Sequence, residues 1–228
     1  MTENRIDRTL QALKQQGKKA LIPFVTAGHG GYDRTEQLVL QMEKAGADII
    51  ELGVPFSDPI AEGPVIQHAS EQALKQGTTL AGIFELVKRL RKKTDMPFEE
   101  KDEIQGSADK YHIHNISLVT PASEGRIQMI AEDATGFLYC VSSNGVTGMR
   151  TKFQTDFSAF FTPIHKYAKI PCMVGFGISS PEAAKQMSQY CDGVIVGSAI
   201  VNMVEQYQEQ APEKVYEFVK SLRTALDE

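Results

Sequence analysis

The feature that most limits the fold of this chain is an alternation. Six short apolar runs, rich in β-branched residues and bounded by Gly, Pro or Asp, are separated by stretches with helical spacing. The runs are residues 20–27 (ALIPFVTA), 47–54 (ADIIELGV), 115–120 (NISLVT), 136–142 (GFLYCVS), 170–176 (IPCMVGF) and 193–196 (GVIV). Their length marks strands. Their lack of polar alternation marks strands covered on both faces, as in parallel sheets. Between them, residues 34–45 place Leu38, Met42 and Ala45 on one face and meet a stop at Gly46. Residues 81–93 align Ile83, Leu86, Val87 and Leu90. Ser180-Pro181-Glu182 starts another helix, with a capping hydroxyl and a proline at the first position. Such a chain folds as a parallel β/α barrel or a doubly wound sheet. No G-x-G-x-x-G follows the first run, which counts against a dinucleotide fold. Residues capable of chemistry recur at the C-terminal ends of several runs, which favours a barrel.

One stretch breaks the rhythm. From Gly63 to Tyr111 the pattern gives about three helices and no convincing strand. The count therefore reaches about six, where a closed barrel of this kind has eight.

Composition narrows the function. With 228 residues and 42% apolar content, the chain builds a sizeable core, read here as a single domain over residues 1–228. A net charge of -5 counts against nucleic acid as the main partner. The basic run Lys88, Arg89, Arg91, Lys92 and Lys93 reads as the solvated end of a helix. Cys140, Cys172 and Cys191 have neither disulfide nor metal-ligand spacing, and Cys140 and Cys172 read as buried thiols. The polar N-terminus carries no signal-peptide core, and no run of about 18 apolar residues exists, so the expectation is a cytoplasmic chain with no membrane span.

Two carboxylates stand out. Glu51 lies inside an apolar strand, where burial is costly without a partner or a function; the ordinary alternative is a strand-end Glu reaching water. Glu62 lies in the loop SDPIAEG, where a solvated side chain is the default. Asp58 reads as a turn or cap residue. Glycine-rich turns occur at 145–148 (GVTG), 175–180 (GFGISS) and 197–199 (GSA). The last two join a strand to a helix, where backbone amides suit a phosphate, and barrels commonly hold phosphate after their last two strands. Tight turns use glycine anyway, so each alone is weak. The five histidines pair with no nucleophile and read as surface or packing residues. Tyr139 reads as a core ring with a satisfied hydroxyl.

At GADIIELGVPFSDPIAEGPVIQ the sequence resembles the tryptophan synthase alpha family. The likeness continues in IPFVTAG, GFLYCVSSNGVTGMR, VGFGISSPE and DGVIVGSAIV, in order and over most of the chain. The resemblance implies a (β/α)8 TIM-barrel fold, here shortened to about six parallel strands. It implies a lyase that cleaves indole-3-glycerol phosphate to indole and glyceraldehyde 3-phosphate, with no cofactor or metal in this chain. It also implies a partner beta subunit that carries pyridoxal phosphate, in an alpha2-beta2 type assembly. By motif position Glu51 becomes the general acid–base, and Glu62 stands where the family commonly has Asp, against the indole N–H. Phe24 and Tyr139 become ring-lining residues and Thr147 part of the loop that closes the site. Gly148, Gly177, Gly197 and Ser198 become phosphate contacts.

The sequence departs from that family at one place. The resemblance calls for a strand, a helix and a strand after Pro97, but Thr94-Asp95-Met96-Pro97 runs directly into Phe98-Glu99-Glu100. About one βαβ segment is missing, with its junction near residues 97–98. A non-catalytic subunit that binds and activates a beta partner is the alternative reading, weakened by retention of both carboxylates. A stand-alone lyase and a phosphosugar isomerase are further alternatives, the isomerase disfavoured by ELGVPFSDP and GVTG.

Overall fold

The computed structural model describes residues 4–58, 62–99, 113–141, 156–175 and 177–228. All six apolar runs form strands: β1 (Ala20–Thr26), β2 (Ile50–Gly53), β4 (Ser117–Val119), β5 (Leu138–Val141), β6 (Cys172–Gly175) and β7 (Gly193–Val196). A further strand, β3 (Phe98–Glu99), lies in the stretch where the sequence pattern offered none. Two residues carry no periodicity; β3 is specified by the edge of β2, where Ile50 pairs Phe98 and Glu51 pairs Glu99.

Every pairing is parallel, in the order β3-β2-β1-β7-β6-β5-β4. The first and last parts of the chain meet where β1 pairs β7, with Ile22 opposite Ile195. Among the described residues nothing pairs β3 with β4, so the seam of the shortened barrel falls between two strands consecutive in sequence. The sheet is nonetheless curled. Ile49, leading into β2, and Ile116, leading into β4, share one buried cluster with Ile22, Phe137, Met173 and Ile195. A flat sheet would keep these side chains apart.

That inner cluster is closed at the N-terminal end of the strands by α1 (Arg5–Gln15). Asn4 caps it by accepting from the Ile6 amide at 2.8 Å. Ile6, Leu10 and Leu13 fall on one face and are buried, each contributing about 1.5–3 kcal/mol.

The outer layer holds α2 (Tyr32–Lys44), α3 (Pro64–Lys75), α4 (Leu80–Arg91), α5 (Ile127–Asp133), α6 (Phe157–Tyr167), α7 (Pro181–Ser188), α8 (Ser198–Tyr207) and α9 (Ala211–Asp227). Leu38 and Met42 of α2, Ile83, Leu86 and Leu90 of α4, and Val215, Val219 and Leu222 of α9 enter one core with the outward side chains of the strands. Ser180 caps α7 as its sequence predicts, its hydroxyl accepting from the Ala183 amide at 3.2 Å. The third helix expected before Tyr111 falls on residues 100–112, outside the described residues.

The basic run is only partly solvated. Arg89 reaches across to Asp33 at 3.0 Å and to Glu36 at 3.1 Å, and Lys93 also pairs with Glu36, which is 8% exposed. Three ion pairs among four charges thus pin the end of α4 to α2. The three cysteines are free and buried. Burial pushes the Cys191 thiol up to about 12, and Cys140 is pushed up by its contact with Cys172 and by burial. Asp48, ahead of β2, accepts from the Leu21 amide at 2.8 Å and from Arg223 of α9 at 3.1 Å. Its carboxyl is nevertheless pushed up, because burial outweighs both contacts.

Candidate active site

Side chains alternate along a strand, so the inner cluster fixes what lies farther along each strand on the same face. Ala20 and Ile22 face inward, and hence so do Phe24 and Thr26; Ile49 likewise implies Glu51 and Gly53. Phe137 implies Tyr139, Met173 implies Gly175, and Ile195 implies Gly197. Because all strands run in parallel, these positions gather at one end, the C-terminal end, where barrels carry their chemistry.

Glu51 stands directly beside Phe24 in the register of β1 and β2. It is half-buried, and its Oε2 is shielded from solvent. Tyr139 is buried at 6% exposure on β5. Two glycines make room for the rings. A Cβ at Gly53 would lie 2.4 Å from the Phe24 ring, and one at Gly175 would lie 2.7 Å from the Tyr139 hydroxyl. The sequence marks Gly175 only as part of a glycine-rich turn and gives Gly53 no such role, since the need for each arises on the neighbouring strand. Thr26 carries no signal in the sequence, yet its buried hydroxyl has no hydrogen-bond partner among the described residues.

Glu62 is half-buried and immediately precedes Gly63, the residue that opens α3. Its carbonyl accepts from the Gln67 side chain at 2.8 Å. The same helix contributes Ile66 and Ala69 to a small cluster with Val201, against which Phe24 packs. The Glu62 segment therefore arrives over the end of the barrel that carries Phe24 and Glu51. Asp58 is exposed and accepts from its neighbour Ser57 at 2.7 Å, as a turn residue does.

The turns after β6 and β7 are neighbours because those strands pair. Gly177 sits at φ 91°, a conformation that disfavours any residue with a side chain. Gly197 precedes α8, whose first turn has no side-chain cap, and Ser198 is its first residue. The amides there remain available to an anion, and the helix dipole favours one. Thr147 and Gly148 lie outside the described residues.

Of the histidines, His29 is 4% exposed, and its Nε2 lies 2.8 Å from Glu205 on α8. That hydrogen bond holds the Glu205 carboxyl below the usual carboxylate range. Among the described residues no group of three or more His, Cys, Asp or Glu is arranged to hold a metal ion. No described helix is long and apolar enough to cross a membrane.

Comparison with known proteins fits this geometry. The sequence profile of the family described as "Tryptophan synthase alpha chain" matches residues 10–94 and 94–227. The tryptophan synthase alpha chain of Clostridium kluyveri is 38% identical over 262 aligned positions, covering 98% of this chain and 100% of that one. That of Caldanaerobacter subterraneus subsp. tengcongensis is 41% identical, also covering 98% and 100%. The crystal structure of tryptophan synthase subunit alpha from Legionella pneumophila str. Paris matches with a TM-score of 0.84 at 31% identity, over 99% of each chain. An alignment of 262 positions is longer than these 228 residues, so the relative carries residues absent here. The profile breaks at residue 94, just before the junction expected near 97–98. With both flanks of that break matched, and with the relatives' fold retained around it, this chain belongs to the tryptophan synthase alpha chain family.

Proposed function

We propose that this chain is a lyase that cleaves indole-3-glycerol phosphate to indole and glyceraldehyde 3-phosphate, with Glu51 as its general acid–base. The observation that carries the reading is a carboxylate on the inner face of β2, beside the Phe24 ring and at the same barrel end as two adjacent glycine turns. In the proposed reaction a proton goes to indole C3 and the carboxylate takes the proton of the adjacent glycerol hydroxyl. As the carbon–carbon bond breaks, its electron pair returns to the indole ring and the hydroxyl carbon becomes the aldehyde. One group close to both positions serves as acid and then as base.

Glu62 would accept from the indole N–H and offset the positive charge that develops on the ring. Its extra methylene, compared with the usual Asp, sets that carboxylate farther from its backbone. Phe24 and Tyr139 would flank the indole. The amides of Gly177, Gly197 and Ser198, joined by Gly148, would hold the phosphate without a basic side chain. Thr147 would belong to the segment that closes over the substrate.

We further propose that the indole passes to a beta subunit, in an alpha2-beta2 type assembly in the cytoplasm. Pyridoxal phosphate would reside in that partner, and this chain would need no cofactor. The structure of Mycobacterium tuberculosis tryptophan synthase is among the fold's matches, with a TM-score of 0.81 at 25% identity, which supports the pairing.

The test is indole release by the purified chain, with and without a beta subunit. Glu51→Gln is expected to lower kcat about 10²–10⁴-fold while leaving the thermal melt in place. Absence of release from folded wild-type chain under both conditions would overturn the lyase and leave a non-catalytic activator of the beta subunit.

A further inference from the structure

A cavity of about 350 Å³ opens at the N-terminal end of the barrel, away from Glu51 and the glycine turns. Lys14, Lys18 and Lys19 reach it from the end of α1 and the approach to β1. His165 and Lys169 reach it from the end of α6 and the approach to β6, and Asp192 from the residue before β7. Four lysines and a histidine thus line the cavity with one aspartate. The chain as a whole has the opposite balance, with 29 acidic residues to 24 Lys and Arg.

That one carboxylate is already engaged, since Asp192 Oδ2 accepts from the Cys172 amide at 2.9 Å. Lys19 is held by the carbonyl of Cys191 at 2.7 Å. Lys14, Lys18 and Lys169 make no ion pair with a carboxylate among the described residues. Elsewhere on the surface, lysines such as Lys75, Lys88, Lys93, Lys185 and Lys214 do pair with a glutamate. Like charges converging on one concavity repel, and an anion placed among them removes that repulsion. The buried side chains of Leu13 and Met173 add an apolar part to the lining.

We propose that this cavity binds a small multivalent anion of the phosphate-ester class. Its volume is at the lower end of small-molecule sites, enough for a phosphate on a body no larger than a sugar. It differs in kind from the turns after β6 and β7, which offer backbone amides and no cation. Attraction by exposed ammonium groups is screened within about 8 Å at physiological ionic strength, so binding here weakens steeply with salt. A bound anion would bridge α1 to the start of β6 and raise the melting temperature by mass action.

The test is calorimetric titration of the full chain with inorganic pyrophosphate at low ionic strength. The expected result is a binding event that 150 mM salt weakens (about the physiological level) and that the K14Q/K18Q/K169Q variant weakens at least tenfold. These side chains are exposed, and the variant's melt without pyrophosphate is expected to match the parent. Ser198→Asp, which repels an anion at the opposite end, is expected to leave this event in place. No binding, binding unchanged in the lysine variant, or binding lost only in Ser198→Asp would each overturn the proposal.

Discussion

A methyl group at Gly53 would lie 2.4 Å from the Phe24 ring, closer than packed carbons approach, so the ring would have to turn away from its place beside Glu51. Gly53→Ala is therefore expected to cost about 1–3 kcal/mol of stability. It should also raise KM for indole-3-glycerol phosphate; denaturant titration and steady-state kinetics on one preparation check both. A second residue-scale expectation concerns Glu205, which His29 holds below its ordinary value of 4.5. A depressed carboxyl supports the folded state above that value, and the support is lost as pH falls through the lower folded value. Glu205→Gln should flatten the acid limb of stability below about pH 4.5, measured as urea midpoints from pH 3 to 7. Glu205 is 45% exposed, so the effect is expected to stay below about 1 kcal/mol. The sequence made Glu51 legible because a carboxylate in an apolar strand is conspicuous by itself. Gly53 and His29 were not legible as more than a strand glycine and a packing histidine, because what they do depends on residues far away in the chain.

Among the elements, the polar link between α2 and α4 depends largely on one side chain. Glu36 is nearly buried and is approached by Arg89 and Lys93, whose side chains are 45% and 53% exposed. Glu36→Gln removes the charge that holds both and is expected to cost about 1–2 kcal/mol, less than a fully buried pair would. A shift of the denaturant midpoint with an unchanged slope is the predicted signature. The basic run on α4 read as solvated because its acidic partners lie on another helix, some 50 residues earlier. Helices α2, α4 and α7 were legible from apolar spacing and caps. Helix α1 is masked in the sequence by the polarity of its segment, although Ile6, Leu10 and Leu13 carry the spacing. The two residues of β3 had no pattern to read.

For the whole molecule, the parallel β/α architecture and the shortfall of strands were both legible, because each follows from how often an apolar run returns. How the shortened sheet arranges itself was not, since curvature and seam are set by packing across the barrel interior. Position in the sheet predicts a gradient of protection. β2, β1, β7, β6 and β5 each have a strand on both sides, with β7 at the centre and β1 the longest, whereas β3 and β4 stand at the ends. Amide hydrogen exchange should be slowest in residues 20–26 and 193–196 and fastest, among strands, in 98–99 and 117–119; uniform protection across the sheet would contradict the order described.

The pairing of β1 with β7 has a consequence of its own. It divides the molecule into two arcs, one built from residues before 100 and one from residues after 112, stitched together along that line. Glu51 belongs to the first arc; Tyr139 and the glycine turns after β6 and β7 belong to the second. A closed ring fixes such a distance from both sides at once. Here the described strands fix it from one side only, so the span between the carboxylate and the Tyr139 ring follows the bend along that line, held by the side chains packed inside it, as the gap between two covers follows the spine of a book.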